Sequence, residues 1–345
     1  MVYFVQQTLT FALPLMIVAL AGVFAERSGI INIALEGIMV FGAFIGVIVI
    51  RYLAPLGFTH ENGQLLLLIA ILASTIGGAL FALLLAFASI NLKADQTIGG
   101  TALNLLAPAI VLFLIYTINQ QNSLGIITDT FRTEPATLFM LSYKDFGFKT
   151  DLGMNTLQQI LFTKIYPTTY YAIAVFAILS VVLYFTKFGL RLRSCGEHPQ
   201  ASSSVGINVN KMRYIATSIS GALAGFGGFI YALTATGCNV NGDVAGLGFL
   251  ALAVMIFGNW KPLNIVGAAL LFGALKCVAV GYNYIDFNND GIYFLSTIGI
   301  SSHIYRLLPY VITLVVLAFT SKRSRAPKAE GQPYEKGKRW WKKLL

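Results

Sequence analysis

Charge is scarce in this chain. Only 11% of its 345 residues are Asp, Glu, Lys or Arg, 57% are hydrophobic and the mean hydropathy is +0.74. A soluble domain carries about 25% charged residues, so an ordinary soluble globule is excluded. Cysteine is also scarce: Cys195, Cys238 and Cys277 lie far apart, which leaves neither a metal-type pair nor a disulfide framework. His60, His198 and His303 are equally isolated. No GxxxxGK[ST], HExxH or GxSxG pattern occurs, so no enzyme constellation, metal or cofactor is implied. Without a phosphate-binding loop the chain cannot hydrolyse ATP itself.

What the chain has is long apolar runs. They cover Tyr3–Ala25, Ile30–Ile50, Gln64–Ile90, Ile98–Ile118, Tyr166–Lys187, Arg213–Gly237, Leu263–Tyr282 and His303–Thr320. Each is near the roughly 20 residues that a helix needs to cross the hydrocarbon. A ninth run, Gly246–Gly258, reaches only about 20 Å at 1.5 Å per residue. It must be a half-helix or part of a broken span. The runs are continuous rather than alternating, which disfavours strands. The expectation is an all-α polytopic membrane protein with eight or nine transmembrane helices. The first run is no cleavable signal: no basic residue precedes it, it exceeds a 7–15 residue signal core, and Ala25-Glu26-Arg27 lacks a small-x-small site.

Basic residues set the orientation, because short cytoplasmic loops collect them. Nine follow Thr320 and five lie between Lys187 and Arg213, so both regions are placed inside. With the ninth run counted as a crossing, 119–165 falls outside, Lys93 and Glu26-Arg27 inside, and the N-terminus outside. Seventeen of the 24 basic residues then face the cytoplasm. The net charge of +10 suits the anionic inner leaflet, so lipid is the expected counter-charge and nucleic acid is not needed. Trp340-Trp341 before Lys342-Lys343 reads as an interfacial anchor or as a disordered basic end.

Several polar residues sit where lipid exposure would be costly. Asn32 and Glu36 lie four apart and share one helix face. They read as a polar pathway or as a structural cluster near the cytoplasmic end, where Glu36 would pair with Arg27 or another cation. Thr97, Thr101, Asn104 and Pro108, spaced four, three and four, form a second stripe that reads as pathway-lining. Ser218, Gly221, Gly225 and Gly228 form a small-residue stripe for close helix packing. Lys276 must snorkel or find a partner.

The polar stretch Lys187–Met212 (KFGLRLRSCGEHPQASSSVGINVNKM) stands between two spans. It carries helix-start chemistry at Pro199 and a break at Gly206, with Glu197 expected in the first turn of a short helix. Such an element suits a cytoplasmic partner that must grip the protein. Two classes follow: the membrane component of a multi-subunit pump, or a self-contained secondary transporter. The second would want inverted repeats and buried ion-coupling carboxylates.

The segments ERSGIINIALEGIMVFGAFIG (26–46), DQTIGGTALNLLAPAI (95–110) and RSCGEHPQASSSVGINVNKMRYIATSISGALAGFGG (193–228) resemble membrane permeases of bacterial ABC importers. The likeness is to the simple-sugar and nucleoside branch, related to the branched-chain amino-acid and ribose permeases. Its loop pattern, R-x-x-G-E-N-P-x-A-A-x-x-x-G-I, is matched by Arg193, Gly196, Glu197, Pro199, Ala201, Gly206 and Ile207, with His198 for the Asn and Ser202 for the second Ala. Residues 248–275 resemble the family's late membrane segment. The resemblance implies one permease domain over 1–321, with a coupling loop at 187–213, an extracellular loop at 119–165 and a basic cytoplasmic tail at 322–345. It implies an ATP-binding cassette subunit on Arg193, Gly196, Glu197, His198, Pro199, Ala201 and Gly206. It also implies a second permease, homologous or identical, and an extracytoplasmic solute-binding protein. Asn32, Glu36, Thr101 and Asn104 would border the path. Mostly neutral linings suit a nucleoside or simple sugar, with a branched-chain amino acid as the alternative.

Overall fold

The computed structural model of the chain describes residues 2–54, 62–119, 139–141, 155–163, 165–282, 301–320 and 326–335. These residues form helices and connections, with no strand among them. In chain order the helices are α1 (Val2–Glu26), α2 (Leu35–Leu53), α3 (Gly63–Ile90), α4 (Gln96–Asn119), α5 (Thr156–Phe162), α6 (Pro167–Phe185), α7 (Lys187–Glu197), α8 (Pro199–Ser204), α9 (Val209–Thr234), α10 (Leu247–Phe257), α11 (Pro262–Gly281) and α12 (Ser302–Thr320). Seven of them, α1, α2, α3, α4, α6, α9 and α11, are long and apolar enough to cross a bilayer. Helix α12 occupies the eighth expected run.

Local chemistry sets the helix starts. Pro167 and Pro262 stand in the first turns of α6 and α11, where a missing N–H loses no helix bond. The Asn208 side chain accepts from Lys211 N (3.0 Å) and caps α9, and Thr186 caps α7 through Gly189 N (3.2 Å). Helix α2 starts later than its apolar run, at Leu35 rather than near Ile30. Residues 27–34 are non-helical, since apolarity alone does not separate an extended buried segment from a helix.

Helix α9 is the hub and packs on α3, α1 and α2. The expected small-residue stripe is that packing surface. A Cβ on Gly42 would stand 2.3 Å from Gly225 Cα, and one on Gly78 would stand 2.8 Å from the same atom. A Cβ on Gly228 would stand 2.1 Å from Met39 O. Three backbones therefore meet with no side chain between them. In lipid, where apolar burial gives little drive, such close approach is a main source of helix association. The buried hydroxyl beside this stripe is Ser220, and Ser218 is only half-buried.

The short ninth run is one half of a broken span. Residues 235–246 are irregular, with positive φ at Gly237, Cys238, Gly242, Ala245 and Gly246. Helix α10 then covers about 16 Å before the chain turns back through left-handed Asn259 and Trp260 (φ 52° and 56°). Trp260 Nε1 donates to Glu26 Oε2 at 2.6 Å, and the Tyr184 hydroxyl donates to the Trp260 carbonyl. Those contacts put the end of α10 level with the ends of α1 and α6.

Most of the expected outer segment 119–165 lies outside the described residues. Within it Leu141 and Ile165 form an isolated antiparallel bridge, and Gln6 Nε2 reaches the Thr163 carbonyl at 2.8 Å. Trp340-Trp341 also lie outside the described residues.

Replacing Gly225 with Ala would drive a methyl to 2.4 Å from Ser74 O and 2.9 Å from Gly78 Cα. Overpacking of this kind costs about 1–3 kcal/mol. The expected outcome is a lower melting temperature for the purified protein in detergent. Gly267→Ala, with nothing within 4 Å, should leave melting unchanged. Equal melting of the two variants would refute the backbone contact.

Candidate functional site: a mid-membrane break and a docking face

A break in a helix at membrane depth exposes N–H and C=O groups that lipid cannot satisfy. Two breaks meet in this chain. Asn32 Nδ2 donates to Ser220 Oγ at 2.8 Å. Ser220 lies 11 residues beyond Val209, which puts this level about 16 Å along α9, near half of a roughly 30 Å hydrocarbon core. Helix α2 thus starts in mid-membrane, and residues 27–34 form a re-entrant segment leading to it.

Three side chains satisfy that segment and the helix start beyond it. Ile31 N donates to Gln96 Oε1 (2.7 Å), and Asn104 Nδ2 donates to Ile33 O (2.8 Å). Asn104 Oδ1 accepts from Gly37 N (2.8 Å), an unpaired donor of the first α2 turn, and Arg213 Nε donates to Ser28 O (3.2 Å). The second break is held by Glu36, whose carboxylate accepts from Gly246 N (2.9 Å), Gly248 N (2.5 Å) and Phe249 N (3.4 Å). An acid at a helix N-terminus meets both free donors and the positive end of the dipole. Gly248 is required there, because a Cβ would stand 2.4 Å from Glu36 N. Lys276 Nζ donates to Ala245 O (2.9 Å) and lies 5.7 Å from the Tyr310 ring centroid, which gives this buried cation its partners.

The four path candidates therefore divide. Glu36 is engaged by backbone donors in mid-membrane; it neither pairs with Arg27 nor sits near the cytoplasmic end. Asn32 and Asn104 brace the re-entrant segment, although Asn32 Oδ1 is buried with no hydrogen-bond partner. Thr101 is exposed and bonds back to Thr97 O and Ile98 O, both 3.0 Å. It shares the open face of α4 with Thr97, Leu105, Phe113 and Tyr116.

At the end of the bundle where α1, α6 and α10 finish, α7 and α8 form a bent pair joined at His198. Arg193 donates to Tyr184 O (3.2 Å) and lies 4.9 Å over the Tyr184 ring centroid, fastening α7 to the end of α6. Gly196 is pressed on the 27–29 turn, where a Cβ would stand 2.4 Å from Arg27 O. Glu197 is the last residue of α7, a correction to its expected place in a first turn. A carboxylate at a helix C-terminus is disfavoured by the dipole. Arg27 Nη1, 3.6 Å from Glu197 Oε1, offsets that. Pro199 opens α8, and Gly206 (φ +87°) turns the chain towards α9 with nothing near its missing Cβ. Burial pushes the Cys195 thiol above its usual range.

Of the seven coupling candidates, Arg193 and Gly196 face inward and hold the pair in place, while Glu197 sits at the rim with its side chain 40% exposed. His198 and Ala201 face out, beside exposed Leu190, Arg191 and Val205 around a shallow apolar depression. Leu190 and Val205 were not singled out from sequence, although apolar residues in a polar helix were the available signal. Gln96, Arg213, Ser220 and Trp260 were also missed, because their partners lie at least 65 residues away.

No solved structure matches the chain. The family described as branched-chain amino acid transport system, permease component, matches residues 4–317. The guanosine ABC transporter permease protein NupQ of Bacillus subtilis is 38% identical over 97% of both chains. The nucleoside ABC transporter permease protein NupC of Lactococcus lactis is 37% identical, again over 97% of both. A second L. lactis protein, the nucleoside ABC transporter permease protein NupB, is 26% identical over 81% of this chain and 71% of its own. Such a permease works with a separate ATP-binding subunit, which hydrolyses the ATP, and with a solute-binding protein. A helical, multi-pass architecture agrees with the membrane role in that division of labour, and the chain belongs to this family of ABC importer permeases of the cell membrane.

Proposed function

We propose that this chain is one of two permeases in an ABC importer for nucleosides. The observation that carries the reading is similarity along nearly the whole chain to the two relatives named for guanosine and nucleoside transport. The second subunit is a homologous but different permease, as the two distinct L. lactis relatives suggest.

Charge within the membrane supports a neutral solute. A zwitterionic amino acid would need free partners for an ammonium and a carboxylate. Glu36 is committed to three backbone donors and Lys276 to a carbonyl and a ring. The open face of α4 offers hydroxyls at Thr97 and Thr101 and a ring at Phe113. Hydroxyls replace water around a ribose. Aromatic faces stack on a base, which is worth about 1–3 kcal/mol per base in nucleic-acid complexes. That face is the wall of the route, completed by the second permease. The ATP-binding subunit grips Leu190, Arg191, His198, Ala201 and Val205, with Pro199 and Gly206 setting the bend.

Four outcomes follow. In proteoliposomes holding the full complex, unlabelled guanosine and uridine should compete with labelled adenosine uptake at least tenfold better than ribose, galactose or leucine; leucine as the best competitor would overturn the solute class. The chain reconstituted alone should move no solute, and robust uptake by it would restore a self-contained transporter. Thr101→Cys, in a background without the three native cysteines, should react with a charged thiol reagent at a rate that changes with ATP, whereas lipid-facing Ile178→Cys stays inert. Identical behaviour of the two sites would remove α4 from the route. Finally, Val205→Asp should weaken co-purification of the ATP-binding subunit more than tenfold while insertion and melting stay normal. Undiminished association would sink the docking assignment.

A further inference from the structure

The tail was expected only as a basic cytoplasmic end, yet ten of its residues, 326–335, lie against the docking face. Two successive turns shape this segment: Glu330 N donates to Pro327 O (3.2 Å) and Gln332 N to Ala329 O (3.3 Å). Gly331 takes a left-handed φ of +71°, and a Cβ there would stand 2.9 Å from Ile31 Cδ1.

Its outward bonds reach two different bodies. Towards the docking helices, Ala329 N donates to Gly196 O (2.9 Å), and Gln200 Nε2 donates to Glu335 O (2.9 Å). Towards the re-entrant segment, Gly331 N donates to Gly29 O (3.2 Å). Arg213 joins the same side: Nη1 donates to Gln332 O (2.9 Å) and Nε to Ser28 O (3.2 Å), so one guanidinium holds segment and tail together. Lys93, in the α3–α4 connection, pairs with Glu335 at 3.0 Å. Ala329 is 4% exposed, so the tail is seated rather than laid on the surface.

We infer that residues 326–335 are a tension strap, through which outward movement of α7 and α8 draws the re-entrant segment 27–34 and the mid-membrane start of α2. This rests on the reading of α7 and α8 as the ATPase dock. The direct contact between these bodies is compressive. Gly196 pressed on Arg27 O pushes the segment inward but has no bond with which to pull it back. The Arg27–Glu197 pair is a poor tether, with the Glu197 side chain 40% exposed. The strap supplies that pull with main-chain bonds. Ala329 and Gly331 are two residues apart, so at most about 7 Å of chain separates the two anchor points. A dock that moves away from the membrane takes the segment with it. Ala329 and Gly331 are thus positioning residues for the transport cycle, not contacts of the solute.

The test uses the full complex with its ATP-binding subunit, second permease and binding protein, reconstituted in liposomes. Ending the chain after Glu335 keeps the strap and discards the basic end; ending it after Arg325 removes the strap. Gly331→Val keeps the whole chain but opposes the left-handed turn. Expected are near-normal behaviour of the first form, and in the other two ATPase association and basal hydrolysis within twofold of the intact protein. Adenosine moved per ATP hydrolysed should fall at least tenfold in those two. An unchanged ratio in both would overturn the strap. Loss of insertion or of ATPase association in both would also overturn it, making the segment a folding or docking element. Failure of the dock itself is read separately, from normal ATPase association of Val205→Asp.

Discussion

Everything in the membrane half of this protein depends on satisfying a backbone that stops being helical at mid-depth. Two helices, α2 and α10, begin there, and each presents donors that hydrocarbon cannot meet. Glu36 closes one set from the first turn of the other helix, and Asn104 closes the second from α4. Each break is therefore stitched by a neighbour that carries or adjoins the other. Removing Glu36 would leave three donors orphaned, and removing Asn104 would leave one donor and one acceptor. The chain thus keeps a carboxylate in mid-membrane without leaving it available to a solute.

The same economy governs the α7–α8 end of the bundle. Of the residues that make this loop recognisable, Arg193 and Gly196 are turned into the protein, whereas His198, Ala201 and Gly206 are exposed. Arg193 ties it to α6, Gly196 lets it touch the 27–29 turn, and Glu197 meets Arg27. On the proposed docking, contact with another subunit falls to outward side chains such as Leu190 and Val205. A motif of this kind fixes the angle and depth of the helix pair. The outward side chains are then free to suit a particular ATPase.

The fold was legible to the extent that it is written in hydrophobic length. All eight long runs became helices within a few residues, and the ninth became a half-helix because 13 residues cannot cross. The glycine stripe of α9 was legible because its spacing is local. The start of α2 was not, since Ile30, Ile31 and Ile33 are as apolar when extended as when helical. Glu36 could be located but not understood, because its partners lie about 210 residues away and are backbone groups that leave no mark in composition. Glu197 was misplaced because Pro199 starts a new helix and leaves Glu197 at the end of the old one. The seated tail was invisible for the same reason as Glu36's partners: its anchors are mostly carbonyls and N–H groups.

The meeting of Gly42, Gly78 and Gly225 also bears on where this protein bends. Side chains between helices act as a compliant layer that lets them slide by changing rotamer. Where these three glycines meet, backbone rests on backbone and that layer is missing, while Phe41 and Phe81 still stack between α2 and α3 with ring centroids 4.7 Å apart. Sliding at that level would drive backbone into backbone, so α9 resists moving along α2 and α3 there. The irregular stretches 27–34 and 235–246 lie outside that contact, where the chain is already non-helical.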